Sequence, residues 1–113
     1  MFLQTQKGPV DKKLLDKTVA EFLRNNLSAE VRGGYSGQCN ILIDGEGIDL
    51  GAEKARVFFH SVNPAERTVD LLKLLVEKMK LNLFVETVSG NRKIKNVENL
   101  KLEDLTKNDK YFR

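Results

Sequence analysis

The sequence predicts an α+β domain in the order α-β-β-β-α-β-β, with two helices packed on one face of a mostly antiparallel sheet. Three observations predict it. Two segments, around residues 11–27 and 63–79, repeat apolar side chains at helical spacing. Short runs rich in β-branched and aromatic residues lie between and after them, set apart by glycine-containing turns. These runs follow one another directly, which favours hairpins with helices on one face over a wound parallel sheet.

Gly8-Pro9-Val10-Asp11 opens the first helix, with Pro9 at the first helical position and Asp11 complementing the dipole in the first turn. Leu15, Val19, Phe22 and Leu23 form its apolar stripe, widened by Leu14 and Ala20, and it ends near Leu27. Ala29–Arg32 adds a short strand ahead of the sheet, and Gly33-Gly34-Tyr35-Ser36-Gly37 reads as a loop. Cys39–Asp44 is a strand, Gly45-Glu46-Gly47 turns the chain, and Ile48–Leu50 begins the return. Arg56–Val62 is a further strand. Its apolar residues fall on both parities, which places it centrally with some cover on each face.

In the second helix, Asn63 caps, Pro64 takes the first position and Glu66 completes a capping box. Thr68, Leu71, Leu72, Leu75, Val76 and Met79 give it a broad apolar face. Leu83–Val88 is a strand that turns at Ser89-Gly90-Asn91 and returns over Arg92–Val97. Leu100, Leu102 and Leu105 fit neither period, so this stretch is a short helix over Leu102–Lys107 or an irregular cover.

Composition bounds what such a domain can be. At 113 residues the chain is one domain, 1–113, with no room for a second core. It is 41% hydrophobic and 31% charged, too apolar for a disordered polyelectrolyte. No apolar run reaches the roughly 18–20 residues a spanning helix needs, and Met1–Gln6 lacks the pattern of a secretory leader. The expectation is a cytoplasmic protein without a membrane partner. A lone cysteine, Cys39, excludes an intrachain disulfide, and with one histidine the chain cannot build structural zinc.

The net charge of +3 sits in the last quarter, where Arg92, Lys93, Lys95, Lys101, Lys107, Lys110 and Arg113 face Glu98, Glu103, Asp104 and Asp109. Interleaving of this kind usually solubilises a surface, whereas phosphate tracking gathers cations on one face.

Four constellations carry side chains suited to chemistry. Asp44, Glu46 and Asp49 put three carboxylates in one turn, a weak candidate for Mg²⁺ or Ca²⁺ without the spacing of an EF-hand loop. The element order is similar to that of the restriction-endonuclease-like fold, for which Asp44 would be the first acid. Its acid-x-Lys motif is not met, because Glu53-Lys54 lacks the intervening residue. Cys39 and His60 could form a thiolate–imidazole pair only if strand register joined them. Arg32 and Tyr35 border a glycine-rich segment that could stack on bases, but no Gly-Lys-Ser/Thr follows to make a P-loop.

With no motif for a cofactor and no catalytic residue assigned, the leading expectation is a non-catalytic protein–protein interaction module: a small adaptor, regulator or assembly subunit. Its partner is another protein or a second copy, met at a sheet edge or by the terminal Tyr111-Phe112 pair. The alternative is a nucleic-acid-binding domain using Arg32, Tyr35, Arg92, Lys93 and Lys95. A third reading, a metal-dependent nuclease, needs Asp44, Glu46 and Asp49 to converge.

Overall fold

The computed structural model describes residues 1–26, 29–35, 38–43, 46–61, 65–87 and 90–106. Its first element is one the sequence reading omits. β1 (Phe2–Thr5) is only four residues long, yet both of its neighbours are formed by distant parts of the chain. Leu3 lies opposite Val57 on one side and Leu83 on the other, and all three are fully buried.

Thr5 and Val10 then tie the chain down by donating their amides to the carbonyls of Ala55 (2.9 Å) and Lys54 (2.8 Å). Helix α1 (Lys12–Asn25) is capped by Asp11, whose carboxylate accepts from the Leu14 amide at 3.1 Å. This corrects the expected start: Asp11 lies before the first turn, and Pro9 precedes the helix instead of beginning it. Leu15, Thr18, Val19 and Phe22 are buried, whereas Ala20 is exposed and does not widen the stripe. At the far end Asn26 donates its side-chain amide to the Phe22 carbonyl at 2.8 Å, satisfying one of the last-turn acceptors. Leu27 lies outside the described residues.

A four-stranded meander follows: β2 (Glu30–Tyr35), β3 (Gln38–Ile43), β4 (Glu46–Glu53) and β5 (Arg56–Ser61). The run Gly33-Gly34-Tyr35, expected to be loop, continues β2, and the pairing with β3 slips by one residue between Val31 and Gly33. That slip leaves Arg32 as the extra residue of a bulge, and glycines tolerate the altered backbone beside it. Glu46 and Gly47, expected in the turn, are already paired in β4.

Helix α2 (Glu66–Met79) begins later than predicted, with Ala65 as its N-cap. Alanine offers no acceptor, and the compensating bond comes from Thr68, fully buried, whose hydroxyl accepts from the Ala65 amide at 3.0 Å. Asn63 and Pro64 lie outside the described residues. The helix ends on Lys80 at φ 53° and ψ 54°, a left-handed conformation that glycine normally takes. β6 (Leu81–Thr87) and β7 (Gly90–Lys93) form the last hairpin, shorter than the expected return over Arg92–Val97. A 3₁₀ turn (Val97–Asn99) and α3 (Leu102–Thr106) complete the described chain, and bury Leu100 and Leu105 in the same core.

The result is an α+β domain built on one antiparallel seven-stranded sheet, in the order β2-β3-β4-β5-β1-β6-β7. Counting antiparallel steps makes β1 parallel to β2 and β5 parallel to β6, so α1 and α2 are both crossover helices. Both crossovers have the same hand with respect to this strand order, which puts the helices on one face. There Leu15, Val19 and Phe22 of α1 and Leu71, Leu72 and Leu75 of α2 join Ile41, Ile48, Val57, Phe59 and Leu83 in a single core. No helix among the described residues is long and apolar enough to cross a membrane.

Candidate functional site

Because both main helices lie on one side, no helix among the described residues lies over the other face of the sheet. Its composition follows from alternation and register. Phe58 pairs with Phe2, and Phe2 with Phe84, so three aromatic residues from distant parts of the chain stand in one row across β5, β1 and β6. Lys93 extends the row on β7, and Gly51 flanks Phe58 on β4. The Phe2 and Phe84 rings are stacked, 5.0 Å apart and 13° from parallel. Arg56 lays its guanidinium over the Phe2 ring, with Cζ 4.6 Å from the centroid. Between Phe84 and this arginine, Phe2 is only 3% exposed. Phe58 has no such cover and is 42% exposed, at the middle strand of the sheet. This corrects the expectation of cover on both faces of β5: Val57 and Phe59 are buried and Phe58 is not.

Polar groups frame the row. Toward one end of the strands lie Arg56, Gln4 and Asn82, with Glu53 opposite Arg56. Toward the other, exposed His60 stands opposite exposed Asp49, whose carboxylate accepts a hydrogen bond from the Asn40 side chain. Acids and bases therefore alternate across the β4–β5 pair on this face, Glu53 opposite Arg56 and Asp49 opposite His60.

The residues expected to bind nucleic acid do not meet. Arg92 and Lys93 are exposed on β7, and Lys95 is exposed just beyond it. Arg32 and Tyr35 belong to β2, the opposite edge strand. Six strand spacings of about 4.8 Å put roughly 29 Å between the two sets. The connections do not gather either. The β3–β4 and β6–β7 turns lie at one end of the sheet, and the β2–β3 turn lies at the other.

Lys93 and Lys95 instead line a cleft of about 700 Å³ between the end of α2 and the β6–β7 hairpin, with Lys73, Lys80, Glu77 and Glu98 around it. Tyr111, Phe112 and Asp44 lie outside the described residues, as do the side chains of Arg32, Tyr35, Cys39 and Glu46. By register Cys39 stands opposite Leu50 and His60 opposite Asp49, on strands separated by β4. Among the described residues no three His, Cys, Asp or Glu side chains group in a way that could hold a metal ion.

No family model, curated protein or solved structure matches this chain. Function therefore has to be argued from the surface itself. Phe58 and Arg56, which the sequence reading did not single out, are its most distinctive residues. The signal that could have found Phe58 is present in Val57-Phe58-Phe59: with one face of a strand committed to the core, the middle aromatic must point away from it.

Proposed function

We propose that this protein is a non-catalytic interaction module that docks another protein chain on the open face of its sheet. The observation that carries the reading is Phe58, a large aromatic 42% exposed on the central strand of a face without helical cover among the described residues. Exposed aromatics at the middle of a patch with a polar rim are the residues that dominate protein–protein binding energy. The mixed signs around it suit a protein partner better than a polyphosphate, because Asp49 and Glu53 flank the ring on β4. A cytoplasmic setting, where the single cysteine Cys39 stays a thiol, suits the same reading.

The test places a photo-crosslinking amino acid at position 58, with Lys13 on the exposed side of α1 as the control position. The expected result is a protein adduct at 58 and none at 13. The adduct is identified by mass spectrometry and rebound in purified form, with Phe58→Asp weakening binding at least tenfold. Absence of a protein adduct at 58, or an adduct to nucleic acid there, overturns the reading.

One observation favours a second reading, nucleic-acid binding. The cleft beside β7 brings Lys93 and Lys95 together with Lys73 and Lys80. Retention on single-stranded RNA or DNA that falls steeply with salt, and falls further in Lys93→Glu and Lys95→Glu, is the behaviour it requires. Salt-independent retention, or variants that elute unchanged, would dispose of it.

A further inference from the structure

We infer that the partner seated on the open sheet face is a second copy of this chain, packed sheet to sheet about a two-fold axis near Phe58. This rests on the docking reading above and adds the identity of the occupant.

Shape gives the first reason. The molecule measures 34 × 34 × 23 Å, and one face of its sheet is free of helices among the described residues. Seven strands spaced about 4.8 Å apart, each roughly six residues long, present about 700 Å² per copy. Two such faces bury roughly 1,400 Å² in total, within the range of specific protein–protein interfaces.

Charge gives the second reason. Arg56 stands two residues from Phe58 toward one end of β5, and Asp49 lies on β4 opposite His60, two residues from Phe58 toward the other end. Within one chain they are roughly 14 Å apart, and the acid beside Arg56 is Glu53, directly opposite it on β4. A two-fold axis running across the strands at Phe58 exchanges the two ends. Each Arg56 then comes over the Asp49 end of the other copy, and the two Phe58 rings meet at the centre. Twisted sheets packed face to face cross at about −30°. With the crossovers α1 and α2 right-handed, as such connections are in nearly all sheets, that rotation carries Arg56 sideways by about 3.4 Å, roughly two-thirds of a strand spacing, from above His60 toward β4 and Asp49. The interface is isologous, so one complementary pair is made twice.

Sedimentation of the full chain across concentration tests this. The expected result is a monomer–dimer equilibrium that weakens with salt, with Phe58→Asp raising the dissociation constant at least tenfold. Arg56→Asp and Asp49→Arg alone each weaken the dimer about fivefold or more. An equimolar mixture of those two single variants recovers association, because their heterodimer again matches each cation with an acid. Circular dichroism confirms that every variant compared is folded, and Arg56→Gln stands in if Arg56→Asp is not. A wild-type chain that stays monomeric up to about 1 mM overturns the proposal, as do single variants that dimerise normally or a mixture that does not recover. A monomer that still gives an adduct at position 58 with a different protein removes only the self-association. A monomer with no protein adduct there removes the docking reading as well.

Discussion

Replacing Leu3 by alanine tests the least expected feature of the fold, the insertion of the first strand between β5 and β6. Leu3 is fully buried and lies between Val57 and Leu83, which are equally buried. The substitution removes three carbon groups, worth about 0.8 kcal/mol each in transfer from water, or about 2.4 kcal/mol. Hydrogen-bonded strands on both sides restrict collapse into the vacated space, so a cavity cost of roughly 1–2 kcal/mol adds to it. The expected loss is about 3–4 kcal/mol, a large share of the 5–15 kcal/mol that typically stabilises a domain. In urea, with a slope near 1.5 kcal/mol per molar, the unfolding midpoint should fall by roughly 2 M. Gln4→Ala is the matched control, one residue away on the open face and only half-buried, and should cost under about 1 kcal/mol. Equal small losses for Leu3→Ala and Gln4→Ala would show that β1 is not held at the centre of the sheet.

Three further outcomes follow from local structure and can be read from the same urea curves. Thr68→Ala, which removes the acceptor for the Ala65 amide at the start of α2, should cost about 1–2 kcal/mol, and Thr68→Ser should recover part of it. Lys80→Gly should stabilise by about 0.5–1 kcal/mol, because φ 53° is left-handed and glycine adopts it without strain; a loss would mean that the lysine stem contributes more packing than the backbone costs. Ser61 carries a buried hydroxyl without a hydrogen-bond partner among the described residues, so Ser61→Ala should leave stability unchanged or raise it by about 1 kcal/mol.

The elements legible in the sequence are those whose own residues decide them. Both helices carry apolar stripes long enough to establish a 3.6-residue period, and the strand at Arg56–Ser61 is marked by its run of β-branched and aromatic residues, Val57-Phe58-Phe59. β1 was illegible for the opposite reason. Phe-Leu-Gln-Thr is too short to show a period, and its two partners lie more than 50 residues away, so pairing alone makes it a strand. Gly33 and Gly34 mislead in the other direction. Their composition argues for a turn, yet β3 supplies a ladder that β2 follows after its bulge. At the start of α2, Asn63 and Glu66 have the spacing of a capping box, but the helix begins after Ala65 and takes its reciprocal bond from Thr68.

The open face shows why function was harder to read than fold. Phe2, Phe58 and Phe84 carry no shared motif, and the nearest two, Phe58 and Phe84, are 26 positions apart in the sequence. They become a row only because β1 enters between β5 and β6 in the register that sets Phe2 opposite both of the others. A register shift of one residue in β1 would send Phe2 into the core and Leu3 to solvent, breaking both the row and the packing around Val57 and Leu83. The residue that most determines the core, Leu3, and the stack that supports the proposed docking surface, Phe2 on Phe84, are thus fixed by the same pairing. Arg56 depends on it too, since its guanidinium lies over the Phe2 ring. A variant that loosens β1 should therefore weaken docking even with Phe58 intact, whereas Phe58→Asp should weaken docking while the strand stays in place. Amide exchange on Leu3 and Phe59 separates the two: protection lost with binding marks the first case, and protection retained marks the second.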